Sequence, residues 1–260
     1  LKAINNLTEC HLYDKTKLEN LKTQRAVVVI PARYKSSRFP GKPLDKINNK
    51  EMILHVAEKA EQAIGKDNVY VATENLKIAN VVKKSGYKVI ITSDSCLTGT
   101  DRVAEASYEI NADIFVNVQG DEPMIDSGDI KNAIKLKQDN PNHVINCMSK
   151  LHKDEDALDK KIPKIICDLN NNLIYSSRNP LPGSKKYKVN NIMKQVCIYA
   201  FSKKQLQEFY DTKKTPLENY EDIEIVRCIE KGIKVKMLEV DKVSYAVDYP
   251  EDIKVIEKYG

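Results

Sequence analysis

The 260 residues include 42 lysines and arginines against 37 aspartates and glutamates, and 42% of the chain is hydrophobic. That is enough apolar material for one sizeable core, while a net charge of only +5, interleaved with acids, offers no basic face to a long nucleic acid. No run reaches the ~20 apolar residues of a membrane helix, and six scattered cysteines without a CxxC pair read as reduced thiols in a cytoplasmic setting.

Residues 1–24 are polar, lysine-rich and begin without methionine, so they are expected to form a leader or linker ahead of a domain spanning 25–260. A piece of a larger multifunctional chain would look the same. The stretches 26–31 (AVVVIP) and 68–73 (NVYVAT) are continuously apolar and β-branched, the pattern of parallel strands buried on both faces. Met52, Ile53, Val56, Ala57 and Ala60 recur at helical steps, as do Ile78, Val81 and Val82. Further strands are predicted at 88–92 (KVIIT), 113–118 (DIFVNV) and 143–148 (HVINCM). Strands alternating with helices indicate an α/β fold, a mainly parallel sheet with helices on both faces whose ligands gather at the carboxyl ends of the strands.

From 163 to 201 the pattern changes. Asn170, Asn171 and Asn172 mark a turn, 175–182 (YSSRNPLP) excludes a central helix, and 195–201 (QVCIYAF) reads as a strand. This region, to about 217, is expected to be a smaller mixed or antiparallel insert. A helix is predicted over 219–231, then a strand-like run at 242–247 (KVSYAV), a turn at Asp248-Tyr249-Pro250 and a short last helix.

Three stretches carry chemistry. Directly after the first strand, 31–44 (PARYKSSRFPGKPL) brings Arg33, Lys35, Arg38 and Lys42 together around Pro40 and Gly41. Guanidinium forks, a lysine and a glycine turn can cradle a polyphosphate, and the absence of GxxxxGK[ST] and GxGxxG sets aside the P-loop and dinucleotide fingerprints. In 116–123 (VNVQGDEP) a buried strand runs into Asp121 and Glu122; Asp121 suits a magnesium ligand, or the pair caps the following helix. Asp248, in 246–252 (AVDYPED), either joins Asp121 on the metal or caps the last helix.

Taken together and in order, these stretches resemble the 3-deoxy-manno-octulosonate (Kdo) cytidylyltransferases from about Arg25 to the C-terminus. The marks are VVIPARYKSSRFPGKPL, Val71-Ala-Thr73, LTGTDR at 97–102 beside the family's SGTER, VNVQGDEPMI and VDYPEDI. The resemblance implies a Rossmann-like nucleotidyltransferase and homodimer that moves CMP from CTP to a small acidic acceptor with Mg2+, releasing pyrophosphate. It places Pro31, Ala32, Arg33, Arg38, Lys42, Thr73, Thr98, Gly99, Thr100, Arg102 and Gln119 at the nucleotide, with Asp121 and Asp248 on the metal. Arg33, Lys42, Asp121 and Asp248 become the catalytic set; the acceptor falls to Gln119, Arg178, Gln195, Tyr199, Glu224 and Ile225. None of the four histidines sits in a catalytic motif.

The departures lie at the acceptor. Gln195 stands where the family has histidine, and Ile225 where it has glutamine. Losing a hydrogen-bonding side chain from a hydroxyl-binding site changes discrimination strongly. The acceptor is therefore read as Kdo or a modified ulosonic acid, with a phosphonate or sugar phosphate as the alternative. A non-catalytic nucleotide-binding domain is the remaining reading.

Overall fold

In β1 (Ala26–Ala32) alternate side chains serve different layers. Val28 and Ile30 enter one apolar cluster, while Val27 and Val29 enter another on the opposite face. This is why the stretch reads as apolar without alternation. The computed structural model describes residues 24–36, 38–186, 189, 191–242 and 244–259, so the expected leader lies outside the described residues except for Gln24.

In chain order β1 is followed by the small ribbon of β2 (Lys46–Ile47) and β3 (Lys50–Glu51), then α1 (Met52–Ile64), β4 (Val69–Thr73), α2 (Leu76–Lys84) and β5 (Lys88–Ile91). Next come α3 (Gly99–Ser107), β6 (Ile114–Val118), α4 (Ser127–Asp139), β7 (Val144–Lys150), β8 (Lys164–Cys167) and β9 (Leu173–Ser177). The rest is β10 (Met193–Ser202), α5 (Lys203–Tyr210), α6 (Pro216–Glu221), α7 (Ile225–Glu230), β11 (Val235–Glu239) and α8 (Asp252–Tyr259). Among the described residues the main sheet has the order β11-β7-β10-β6-β1-β4-β5, with β8 on β10 and β9 on β8. β6, β1, β4 and β5 run parallel. Apolar residues of α1, α2 and α4 pack on one face, and those of α3, α5 and α7 on the other. The predicted α/β architecture is present.

Three expectations change. The strand read at 195–201 is part of β10, which lies antiparallel between β6 and β7 in the main sheet, so only β8 and β9 project as an added antiparallel ribbon. The helix expected over 219–231 is two helices, broken where Asp222 adopts a left-handed conformation with φ 51°, a turn that aspartate tolerates better than most residues. The described part of 242–247 forms no strand. It crosses the strand ends, and the Val247 N–H donates to the Asp121 carbonyl at 2.9 Å.

Candidate active site

The ends of β1 and β6, the N-terminus of α3, the start of β10 and the 244–248 segment enclose a cleft of about 640 Å3. It lies at the carboxyl ends of the parallel strands, where ligands of open α/β sheets gather. Arg33, Arg38, Lys42, Asp121 and Asp248 line it, as do Gln119, Gly99, Gln195, Tyr199, Glu224 and Arg178.

The basic loop is held at both ends. The Tyr34 N–H donates to Glu74 Oε1 at 2.8 Å, and Gly41, at φ 77°, donates its N–H to the Tyr34 carbonyl at 2.9 Å. Only a residue tolerant of positive φ closes that turn without strain. Glu74 is fixed in turn by Arg102 at 3.1 Å. Phe39 packs with Ile47, Met52, Val247 and Ile256 in a small third cluster, so one apolar anchor holds the neighbours of both Arg38 and Asp248.

Across that anchor the charges pair. Lys42 Nζ lies 2.7 Å from Asp121 Oδ2 and 2.6 Å from the Val247 carbonyl, and Arg38 Nη2 lies 3.1 Å from Asp248 Oδ1. Both capping alternatives fail. α4 is capped by Asp126, whose side chain accepts from the Gly128 N–H. At α8 it is Asp252 that accepts from the N–H groups of Asp248 and Tyr249, each at 2.8 Å. Asp121 and Asp248 are thereby left facing the cleft. Among the described residues no three His, Cys, Asp or Glu side chains converge as a closed metal centre, so the chain offers an ion these two carboxylates. Two hard oxygen donors beside Lys42 and Arg38 fit what Mg2+ would require, since it takes one or two carboxylates and fills its octahedron with phosphate and water.

β10, which also lines the cleft, is irregular. Its register against β7 shifts between Val196 and Tyr199, and the Asn146 side-chain amide donates to the freed carbonyls of Val196 and Ile198 at 3.1 and 2.9 Å. Such a bulge re-aims side chains. Gln195 donates to Asn146 Oδ1 at 2.9 Å. Burial pushes the Tyr199 hydroxyl well above its ordinary range. Glu122 is buried, which raises its carboxyl despite hydrogen bonds from the Cys197 N–H and the Ser244 hydroxyl.

The N-terminus of α3 forms a third wall. Thr98 caps it, and both oxygens of Glu224 accept there, from the N–H groups of Gly99 and Thr100 at 3.0 and 2.8 Å. Burial raises the Glu224 carboxyl. A Cβ on Gly99 would fall 2.7 Å from the Gln119 amide, so the two segments touch as closely as they can. Beneath lies a cluster that sequence reasoning missed. Arg227, 1% exposed, pairs with Asp101 at 2.6 Å and Glu218 at 2.7 Å. The available signal was a polar letter inside an apolar run: Arg227 in IVRCI and Asn146 in VINCM.

Some expected site residues stand apart from the cleft. Ile225 is 1% exposed and packs into the core beneath α7, because the turn at Asp222 and Ile223 leaves Glu224 facing the α3 terminus and Ile225 facing the sheet. It does not line the cleft. Thr73 is buried, its hydroxyl oxygen accepting from the Asn75 N–H, and buried Thr100 accepts from Asn117 at 3.0 Å. Arg102 borders the cleft, but its guanidinium is held by Glu74, Thr92 and the Ser93 carbonyl. Arg178 donates to the carbonyls of Lys160, Lys161, Glu221 and Asp222. Four of its five N–H groups thus tie loops together.

Residues 27–238 match the family model described as Cytidylyltransferase. A 3-deoxy-manno-octulosonate cytidylyltransferase from Thermodesulfovibrio yellowstonii is 36% identical over 246 residues, 89% of this chain and 96% of the relative. An 8-amino-3,8-dideoxy-manno-octulosonate cytidylyltransferase from Shewanella piezotolerans is 37% identical over 235 residues, 88% of this chain and 96% of the relative. Among solved structures, a CMP:2-keto-3-deoxy-manno-octonic acid synthetase complexed with CTP superimposes with a TM-score of 0.84 at 34% identity. The match covers 90% of this chain and 98% of that one.

Proposed function

Since the chain belongs to the cytidylyltransferase family that includes the 3-deoxy-manno-octulosonate enzymes, we propose that it transfers CMP from CTP to an eight-carbon 3-deoxy sugar acid of the Kdo type, with Mg2+ at Asp121 and Asp248 and pyrophosphate as the leaving group. The observation that carries this reading is the pairing of Lys42 with Asp121 and Arg38 with Asp248 along one wall of the cleft. That wall offers cations for a triphosphate and carboxylates for its metal at the same place.

Arg33, Arg38 and Lys42 hold the triphosphate and stabilise the charge that moves onto pyrophosphate. The N-terminus of α3, fixed by Glu224, and Gln119 border the nucleoside. Gln195 and Tyr199 orient the acceptor so that its anomeric hydroxyl is in line with the α-phosphorus, and the two reactants react as one assembled pair. When bound, magnesium supplies charge neutralisation at the α-phosphate and a lower pKa for the attacking hydroxyl. The new P–O bond joins the acceptor oxygen to CMP, the bond to the β-phosphate oxygen breaks, and the hydroxyl proton leaves to solvent.

Lys161, Lys194 and Arg178 line the cleft beside Asp154, Glu155, Asp156 and Asp159, and Glu155 is paired with Lys194, so this rim suits Kdo and its 8-amino relative alike. Pyrophosphate release measured with CTP, Mg2+ and separately Kdo, 8-amino-Kdo, a phosphonate and a sugar phosphate tests the proposal. Turnover is expected with at least one octulosonic acid and none without acceptor; turnover with the phosphonate or sugar phosphate alone overturns the acceptor. Asp121→Asn is expected to abolish release while circular dichroism stays native, and full activity in that variant overturns the metal assignment.

A further inference from the structure

Glu122 stands next to Asp121, is 4% exposed, and has both oxygens engaged from opposite directions. Oε1 accepts from the Cys197 N–H at 3.1 Å, inside the β10 bulge that aims Gln195 and Tyr199. Oε2 accepts from the Ser244 hydroxyl at 2.7 Å, four residues before Asp248. Main-chain bonds run alongside: the Gln119 N–H donates to the Cys197 carbonyl at 3.2 Å and the Val247 N–H to the Asp121 carbonyl at 2.9 Å. One buried side chain therefore touches the three segments that carry Asp121, Asp248 and the acceptor strand.

Resting on the function proposed above, we infer that Glu122 is a positioning residue that sets the acceptor strand and the Asp248 segment against the Asp121 turn, and that it does so by hydrogen-bond geometry and not by charge. Each carboxylate oxygen already accepts from a protein donor, and the side chain is buried. A glutamine reproduces the arrangement: its carbonyl oxygen accepts from the Cys197 N–H, and its NH2 donates to Ser244 Oγ, which accepts as readily as it donates. Alanine breaks both arms and strands a buried N–H. Supporting groups of this kind change metal affinity on the order of tenfold to a hundredfold when removed.

The test uses the whole chain and two readouts: Mn2+ affinity in the presence of CTP, followed by electron paramagnetic resonance, and the KM for Kdo or 8-amino-Kdo, whichever turns over. Glu122→Gln is expected to stay within about threefold of wild type in both. Glu122→Ala is expected to weaken both by about tenfold or more. Ser244→Ala cuts one arm alone and is expected to weaken Mn2+ binding on the order of tenfold while the acceptor KM stays within about twofold. Should Glu122→Ala not fold, the glutamine and Ser244 variants still decide. A glutamine variant with tenfold weaker Mn2+ binding or a tenfold higher KM shows that the charge matters and overturns the inference, as does unchanged Mn2+ binding in Ser244→Ala. A wild-type chain that binds no Mn2+ beside CTP overturns the metal assignment itself, and this inference with it.

Discussion

Replacing Arg227 by methionine removes the guanidinium and keeps most of its volume. The guanidinium donates to Asp101 at 2.6 and 3.3 Å, to Glu218 at 2.7 Å twice, and to the carbonyls of Phe209 and Thr212 at 3.2 Å. It also lies 3.8 Å over the Phe209 ring. The Asp101 and Glu218 side chains are only 5% and 1% exposed, so without Arg227 two like charges are buried with little water to screen them. Breaking one side of a buried ionic group costs about 3–5 kcal/mol. At about 2–4 °C per kcal/mol for chains approaching this size, melting should fall by about 10 °C. Urea and thermal unfolding at pH 7.5, followed by circular dichroism, measure it. Arg227→Lys keeps the charge but not the double fork and should fall between. A loss under about 1 kcal/mol would refute the claim that this cluster joins α3 to α6 and α7; the threshold is the value of an ordinary exposed ion pair.

Gly99→Ala places a methyl group 2.7 Å from both amide atoms of Gln119. Calorimetric titration with CTP should show affinity falling by about tenfold, while melting moves by only a few degrees, as for a clash relieved at an open cleft. Asp129→Asn tests a pH dependence. Burial, then repulsion from Asp126, raises the Asp129 carboxyl to about 6. Its folded pKa lies above its unfolded value, so the native chain holds a proton that the unfolded chain has lost, and stability declines as pH rises from about 4 to 6. The asparagine variant should melt higher than wild type at pH 8, and the difference should disappear below about pH 4; equal melting at pH 8 contradicts the raised pKa.

What the sequence made legible was decided by apolar letters in bulk. Parallel strands such as β1 and β6 lie between two helical layers, and burial on both faces writes itself as an unbroken apolar run. The grouping of the cations with Asp121 was legible for a related reason: Arg33, Arg38 and Lys42 follow β1 and Asp121 follows β6, and topology gathers those strand ends, whereas Asp248 arrives on a segment that crosses them. The side of the cleft formed by β10 and Glu224 depends on facing and partnership, which letters do not carry. The run at 242–247 alternates in sequence as a strand would, yet a segment crossing the ends of a sheet can alternate too, since Tyr245 and Val247 pack with Phe39, Met52 and Ile256.

Ile225 shows the cost of that ambiguity. In a six-residue helix there is too little periodicity to say which side chain faces the cleft, and the departure at this position weighed against Kdo in the sequence. With Ile225 in the core and Glu224 spent on the α3 terminus, that argument no longer bears on the acceptor. Gln195 remains as the one departure that lines the cleft, and it is held by Asn146 at the bulge. On the function proposed above, acceptor choice would turn on how the bulge presents Gln195 and Tyr199, a backbone feature that Asn146 and Glu122 contact from neighbouring segments.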